Sequence, residues 1–150
     1  MTFEEKAQIE IIKMAMNPKR RSSLIGGFDA YRGKLVYTDN GFQVFTINND
    51  SIYIDIDKCF PEKNTNIIEL LYTKEPYGDL AVPTLQMRET VDGRVVEEFQ
   101  TVEGQPRSMW VERKLLARFE QPSAYMMGKH MLYLEDEQGV RYGAIMRVII

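Results

Sequence analysis

The side chains best placed to do chemistry in this chain are cationic. From Lys13 to Lys34 stand six basic residues (Lys13, Lys19, Arg20, Arg21, Arg32 and Lys34) against Asp29, a balance of +5. From Arg107 to Arg118 stand four (Arg107, Arg113, Lys114 and Arg118) against Glu112, a balance of +3. The chain of 150 residues carries −3 in total, so the remainder carries −11. Clustered Lys and Arg on an acidic body can hold a polyanion at one place. The same clusters also serve as solvated helix faces, and a helix C-terminus favours cations in any protein. The charge map admits both.

The inventory for catalysis is thin. His130 is the only histidine and stands in an alternating strand beside Lys129. Cys59 is the only cysteine, which excludes an intramolecular disulfide and a cysteine-based zinc cage. Asp55, Asp57 and Glu62 lack the ligand spacing and the Gly of a calcium loop. Glu135-Asp136-Glu137 reads as an acidic turn, and no Gly-rich phosphate loop follows a strand. No catalytic residue, metal or cofactor is expected, and the chain reads as a binding or assembly protein rather than an enzyme.

The elements that must position these groups follow from period and punctuation. Thr2 and Glu5 form a capping box at the start of a helix that runs to about Met16. Ile9, Ile12 and Met16 recur at helical spacing and are its expected buried stripe, widened by Ile11 and Ala15, with Lys6 and Lys13 on a different face. Asn17-Pro18 ends that helix, because a residue before proline is pushed out of the helical region. Strands are expected over about 24–31, with Gly26-Gly27 marking a bulge or a close backbone approach, and over 34–38, 42–47 and 51–56. Asn40-Gly41 is a hairpin signal whose two residues both accept positive φ.

Beyond Cys59 the pattern is harder to read. A loop is expected around Pro61 and 64–66, a short apolar run of helix or strand over 67–71, and a turn over 75–79. A hairpin over 85–102 is expected around Asp92-Gly93, a type I′ signature. A second helix is expected over about 108–119, with Trp110, Leu115, Leu116 and Phe119 buried and Arg113, Lys114 and Arg118 as its basic flank. Three strands close the chain, over about 124–127, 130–134 and 140–149. The length suits one domain with one core, divided into halves of about 1–58 and 59–150. No signal segment and no apolar run long enough to span a bilayer is visible, so a soluble, cytoplasmic protein is expected.

The two halves share a pattern. Residues 33–45 and 129–142 each hold an apolar strand bearing Tyr, an acidic turn, a Gly and a return strand, and each follows an expected basic helix. Repetition of this kind suggests an internally pseudo-symmetric α+β fold. Alternating strands and Gly turns also look alike in unrelated α+β proteins.

Together the pieces resemble one domain of the bacterial DNA polymerase sliding clamp, the ring-shaped processivity factor. Thr38-Asp39-Asn40-Gly41-Phe42-Gln43-Val44 resembles that family's Thr-Asp-Gly strand end, with Asn40 inserted. Phe60-Pro61 resembles its Phe-Pro link between halves, and Ala144-Ile145-Met146-Arg147-Val148 its last strand. The resemblance covers most of the chain except about 64–105, where the hairpin is an elaboration. It implies a DNA-clamp-like fold and a role in encircling DNA or assisting replication, with no enzymatic activity. Its implied DNA-facing set is Lys6, Lys13, Lys19, Arg20, Arg21, Arg113, Lys114 and Arg118, bound to phosphates without reading sequence. Its implied partner-peptide cleft, for a polymerase or other replication protein, is Thr38, Gly41, Val44, Met146, Arg147 and Val148.

The departures are specific. The family carries three such domains per chain, so a ring built from this chain would need about six copies in a homo-oligomer. Phe42 and Gln43 replace basic residues, and the family's last-strand proline is missing near Ile145. The alternative is an oligomeric protein-binding scaffold or accessory module with no DNA role, whose long hairpin leaves a strand edge open to another subunit. A small-molecule-binding or enzymatic domain is a third reading and requires a concave pocket with convergent polar groups.

Overall fold

The computed structural model describes residues 1–63, 66–72 and 78–150 and is a mixed α+β structure. It forms two compact units, Met1–Thr73 and Lys74–Ile150. The expected loop residues at 64–65 and turn residues at 75–77 lie outside the described residues.

The first unit opens with α1 (Phe3–Ala15), started as its sequence implies: Thr2 Oγ1 accepts from Glu5 N at 3.1 Å. After a 3₁₀ turn at Arg21–Ser23, β1 (Ile25–Asp29), β2 (Lys34–Thr38) and β3 (Gln43–Asn48) form an antiparallel meander. Then come α2 (Ile56–Cys59), β4 (Glu62–Lys63), which pairs in parallel with β1, and α3 (Asn66–Tyr72). The ambiguous apolar run is therefore a helix, with Ile67 and Leu71 buried. Tyr37 stacks on Phe45 at 5.2 Å and meets Phe60 edge-on at 6.1 Å, which centres the core of this unit. The Gly26 signal marks a close approach: a Cβ there would stand 2.7 Å from the Phe60 ring.

Two expectations change in this unit. Residues 51–56 do not join the sheet. Ile52 and Ile54 are half-buried and Tyr53 and Asp55 exposed, so the alternation of period two holds without a neighbouring strand. Gln8 stands in for that strand. Its Nε2 donates to Ser51 O at 2.7 Å and its Oε1 accepts from Tyr53 N at 2.7 Å. The buried stripe of α1 is also not the expected one. Ala7, Gln8, Ile11 and Met14 face inward, whereas Ile9 (38% exposed), Ile12 (40%) and Met16 (78%) face solvent. Two apolar stripes at helical spacing existed, and the one carrying Gln8 and the small Ala7 could pack.

In the second unit β5 (Asp79–Glu89), β6 (Val95–Thr101) and β7 (Ser108–Glu112) form one antiparallel meander. The short α4 (Arg113–Leu116) follows, then a second meander of β8 (Ser123–Met126), β9 (Met131–Glu135) and β10 (Arg141–Met146). β8 pairs with β5, so the strand order is β10-β9-β8-β5-β6-β7. Past β10 the chain returns to the far margin: Val148 N donates to Trp110 O of β7 at 2.8 Å. The expected second helix is thus a strand followed by a single helical turn. Met109 and Val111 are buried and alternate with Trp110, so period two prevails over 3.6 there. Leu115 and Phe119 remain buried as expected.

The hairpin around Asp92-Gly93 forms with a different turn. Thr90 N donates to Arg94 O at 2.8 Å, which leaves a three-residue loop in which only Gly93 has positive φ. That is a type I turn with a bulge, not type I′. Asn40 likewise keeps negative φ beside Gly41. Its carboxamide Oδ1 instead accepts from Phe42 N and Gln43 N.

Candidate binding surfaces

The first unit presents its cations on and just beyond α1. Lys6, Ile9, Lys13 and Met16 are spaced three, four and three residues apart, which puts them on one helix face, with Ile12 beside them. All five are exposed. Lys6 and Lys13 therefore share a face with the apolar residues from which they were expected to be separate. Lys13 Nζ lies 3.6 Å from Glu10 Oε1, a solvated pair. At the end of α1, Asn17 O accepts from Arg20 N and Arg21 N, and Asn17 Oδ1 accepts from Lys19 N. This turn sets Lys19, Arg20 and Arg21 side by side in solvent.

The second basic segment is arranged differently. Arg113 and Lys114 are exposed at the start of α4, and Arg118 is half-buried beyond its end. Arg113 Nη1 lies 3.4 Å from Met87 Sδ and its Nε 4.0 Å from Glu97. Nearby cations are also engaged within the unit: Arg107 pairs with Asp79 at 2.6 Å, and Arg88 lies 5.1 Å over the Trp110 ring. The eight expected DNA-facing residues thus divide into five of the first unit and three of the second.

The expected peptide cleft divides in the same way, Thr38, Gly41 and Val44 in the first unit and Met146, Arg147 and Val148 in the second. Thr38 and Val44 are buried. Thr38 Oγ1 accepts from Gly41 N at 2.9 Å, so it shapes the turn. Arg147 N donates to His130 O at 2.8 Å, and with Val148 it ties the end of the chain to its own unit.

The groups considered for catalysis are dispersed. Burial pushes the Cys59 thiol up, Asp55 adds to that and Arg21 opposes it, the reverse of what an activated thiolate needs. Asp55 caps α2 by accepting from Lys58 N. His130 is exposed. Among the described residues no group of three or more His, Cys, Asp or Glu could hold a metal ion, and no helix is long and apolar enough to cross a membrane. Burial raises Glu135 and Tyr133, with Arg141 opposing both shifts; its guanidinium lies 4.8 Å over the Tyr133 ring.

Two features escaped sequence reasoning. Gln8 interrupted an apolar stripe, and that polar residue was the signal that a backbone partner had to be near. Leu85 is 88% exposed at φ 69°, where β5 bulges against β6 between Pro83 and Met87. Nothing in its local sequence marks it.

Compared with known proteins, the chain matches no family model, no curated protein and no solved structure. The clamp resemblance therefore rests on its sequence motifs alone.

Proposed function

We propose that the protein is a non-enzymatic docking module that binds a protein partner through the solvent face of α1. One observation carries this reading. Ile9 and Ile12 are exposed between Lys6 and Lys13, and Met16 is exposed just beyond Lys13, ahead of the Lys19-Arg20-Arg21 turn in sequence. Single exposed apolar residues are ordinary, whereas an apolar strip rimmed by charge is the composition of a protein-binding patch. Phosphate backbones offer nothing to such a strip. The test is a photo-crosslinking side chain at position 12 in the cells that make the protein. An adduct of one defined mass is expected, lost in Ile9→Ser/Met16→Ser with urea stability unchanged. No adduct, or one indifferent to those substitutions, contradicts the reading.

A second reading is favoured by Lys19, Arg20 and Arg21, three adjacent exposed cations: a clamp-like, cytoplasmic replication accessory factor that holds duplex DNA by its backbone. Support for a pseudo-repeated clamp-like architecture is the recurrence of a three-stranded meander, β1–β2–β3 after α1 and β8–β9–β10 after the single turn of α4. The basic segment at Arg113, Lys114 and Arg118 lends it less, being one helical turn rather than a helix. Here solution mass rises on adding duplex at low salt. Lys19→Ala/Arg20→Ala/Arg21→Ala then makes the log-affinity against log-salt slope shallower, by about 0.9 for each phosphate no longer neutralised. In the first reading duplex leaves the mass unchanged.

A further inference from the structure

We infer that the occupant of the α1 face is an acidic amphipathic helix of another protein, laid along α1 with its carboxylates toward the α1 C-terminus. The inference rests on the docking reading above and names the chemistry of its partner.

The length of the strip selects the partner's shape. From Ile9 to Met16 the face runs two turns, about 10 Å along the axis. A helix with apolar residues at i, i+3 or i+4, and i+7 covers the same distance, and rows of side chains at these spacings are what helices interlock. The charges select its sign. Lys6 and Lys13 share the face of the strip, Lys19, Arg20 and Arg21 follow the end of α1 and are exposed, and four of the five lie at or beyond the strip's C-terminal half in sequence. Of the carboxylates beside them, Glu10 already faces Lys13, and Glu5 stands in the first turn. A complementary helix therefore carries Asp or Glu opposite the α1 C-terminus and apolar residues between.

Three other occupants fit less well. A second copy in two-fold contact would bring the same five cations onto both sides of one interface. Duplex DNA would leave Ile9, Ile12 and Met16 against phosphate. An acidic bilayer selects a helix with Trp, Phe or Leu on its apolar face and a Lys/Arg-rich polar face. α1 has neither, and its one aromatic residue, Phe3, packs 6.2 Å from Phe45.

The experiment uses the full chain and three labelled synthetic helical peptides of about 18 residues, long enough to hold helix in water. All have the same Leu stripe; one has Glu on its flanks, one has Lys, and one has the Glu peptide's composition in scrambled order. The Glu peptide is expected to bind at least about tenfold more tightly than either control, a gap of the size several rim charge pairs supply. Lys13→Glu/Arg20→Glu/Arg21→Glu should reverse the preference toward the Lys peptide, and that reversal does not depend on any loss of folding. Equal binding of the Glu and Lys peptides, or of the scrambled peptide, overturns the inference. Tighter capture by phosphatidylserine vesicles, by a short duplex or by self-association also overturns it. If the crosslink at position 12 forms and the Glu peptide does not bind, the partner class is wrong and the docking face stands. If no crosslink forms, the docking reading itself has failed.

Discussion

Gln8 Oε1 accepts from Tyr53 N at 2.7 Å, and through this bond a helix side chain takes the place of a strand. Gln8 is 4% exposed and has Ser51 O on its other end at 2.7 Å. Removing the carboxamide strands a backbone donor and a backbone acceptor, each costing about 1–3 kcal/mol. Gln8→Leu should lower stability by about 2–6 kcal/mol on that basis, read as a lower urea midpoint with unchanged slope, and should speed amide exchange at Tyr53. A loss under about 0.5 kcal/mol would show that water replaces the carboxamide at no cost.

Gly26 and Phe60 make a second tight pair. A Cβ on Gly26 would meet two Phe60 ring carbons at 2.7 and 2.8 Å, and that ring is 2% exposed. Gly26→Ala should cost about 1–3 kcal/mol, the range for overpacking a filled core. Phe60→Leu in the same chain should recover part of it, because the two changes share one space. Strictly additive losses would place the strain elsewhere.

Leu85 holds positive φ at 69° with its side chain in solvent. A non-glycine residue in that region carries a cost of about 1 kcal/mol or more. Leu85→Gly removes this strain and loses little packing, although the freer unfolded chain offsets part of the gain. A net rise of up to about 1 kcal/mol is expected. Gly139, at φ 76°, is the converse: Gly139→Ala should lower stability by about 1 kcal/mol. The two variants are compared by urea unfolding.

Tyr142 gives the pH dependence. Its hydroxyl donates to Glu120 O at 2.9 Å, and burial, followed by Asp136, Glu120 and Glu137, pushes its ionisation from 10.0 up to about 12. Between those values the unfolded chain releases this proton and the folded chain keeps it. Stability from this group is full below pH 10.0 and falls as pH rises toward about 12. Tyr142→Phe should flatten the decline of the urea midpoint in that window, at the cost of one hydrogen bond, about 1 kcal/mol, at neutral pH. An unchanged alkaline slope would contradict the shift.

Much of the fold was legible because strands and their turns are local. The expected strands at 34–38, 42–47, 124–127 and 130–134 fall on β2, β3, β8 and β9, since alternation of period two and an intervening Gly specify a hairpin without distant partners. The misreadings were decided by groups remote in sequence. Which stripe of α1 turns inward depends on Gln8 reaching Ser51 and Tyr53 and on Phe3 reaching Phe45. Residues 108–112 contain apolar side chains that fit either period, and pairing with β6 settles them as strand. For the candidate site, the exposure of Lys19, Arg20 and Arg21 could be read from charge alone. Burial of Thr38 and Val44 could not, because both look like any strand residue.

The docking account stands on the face that α1 turns outward, and thiol labelling reads that directly. In a Cys59→Ser background, Ile12→Cys should react with a small alkylating reagent at the rate of a free thiol. Ile11→Cys, on the buried face, should react more slowly by about a thousandfold or more, waiting for the chain to open. The acidic helical peptide should then protect position 12 and leave position 11 unchanged. Fast labelling at 11 with protection at 12 in the absence of any partner would contradict the account.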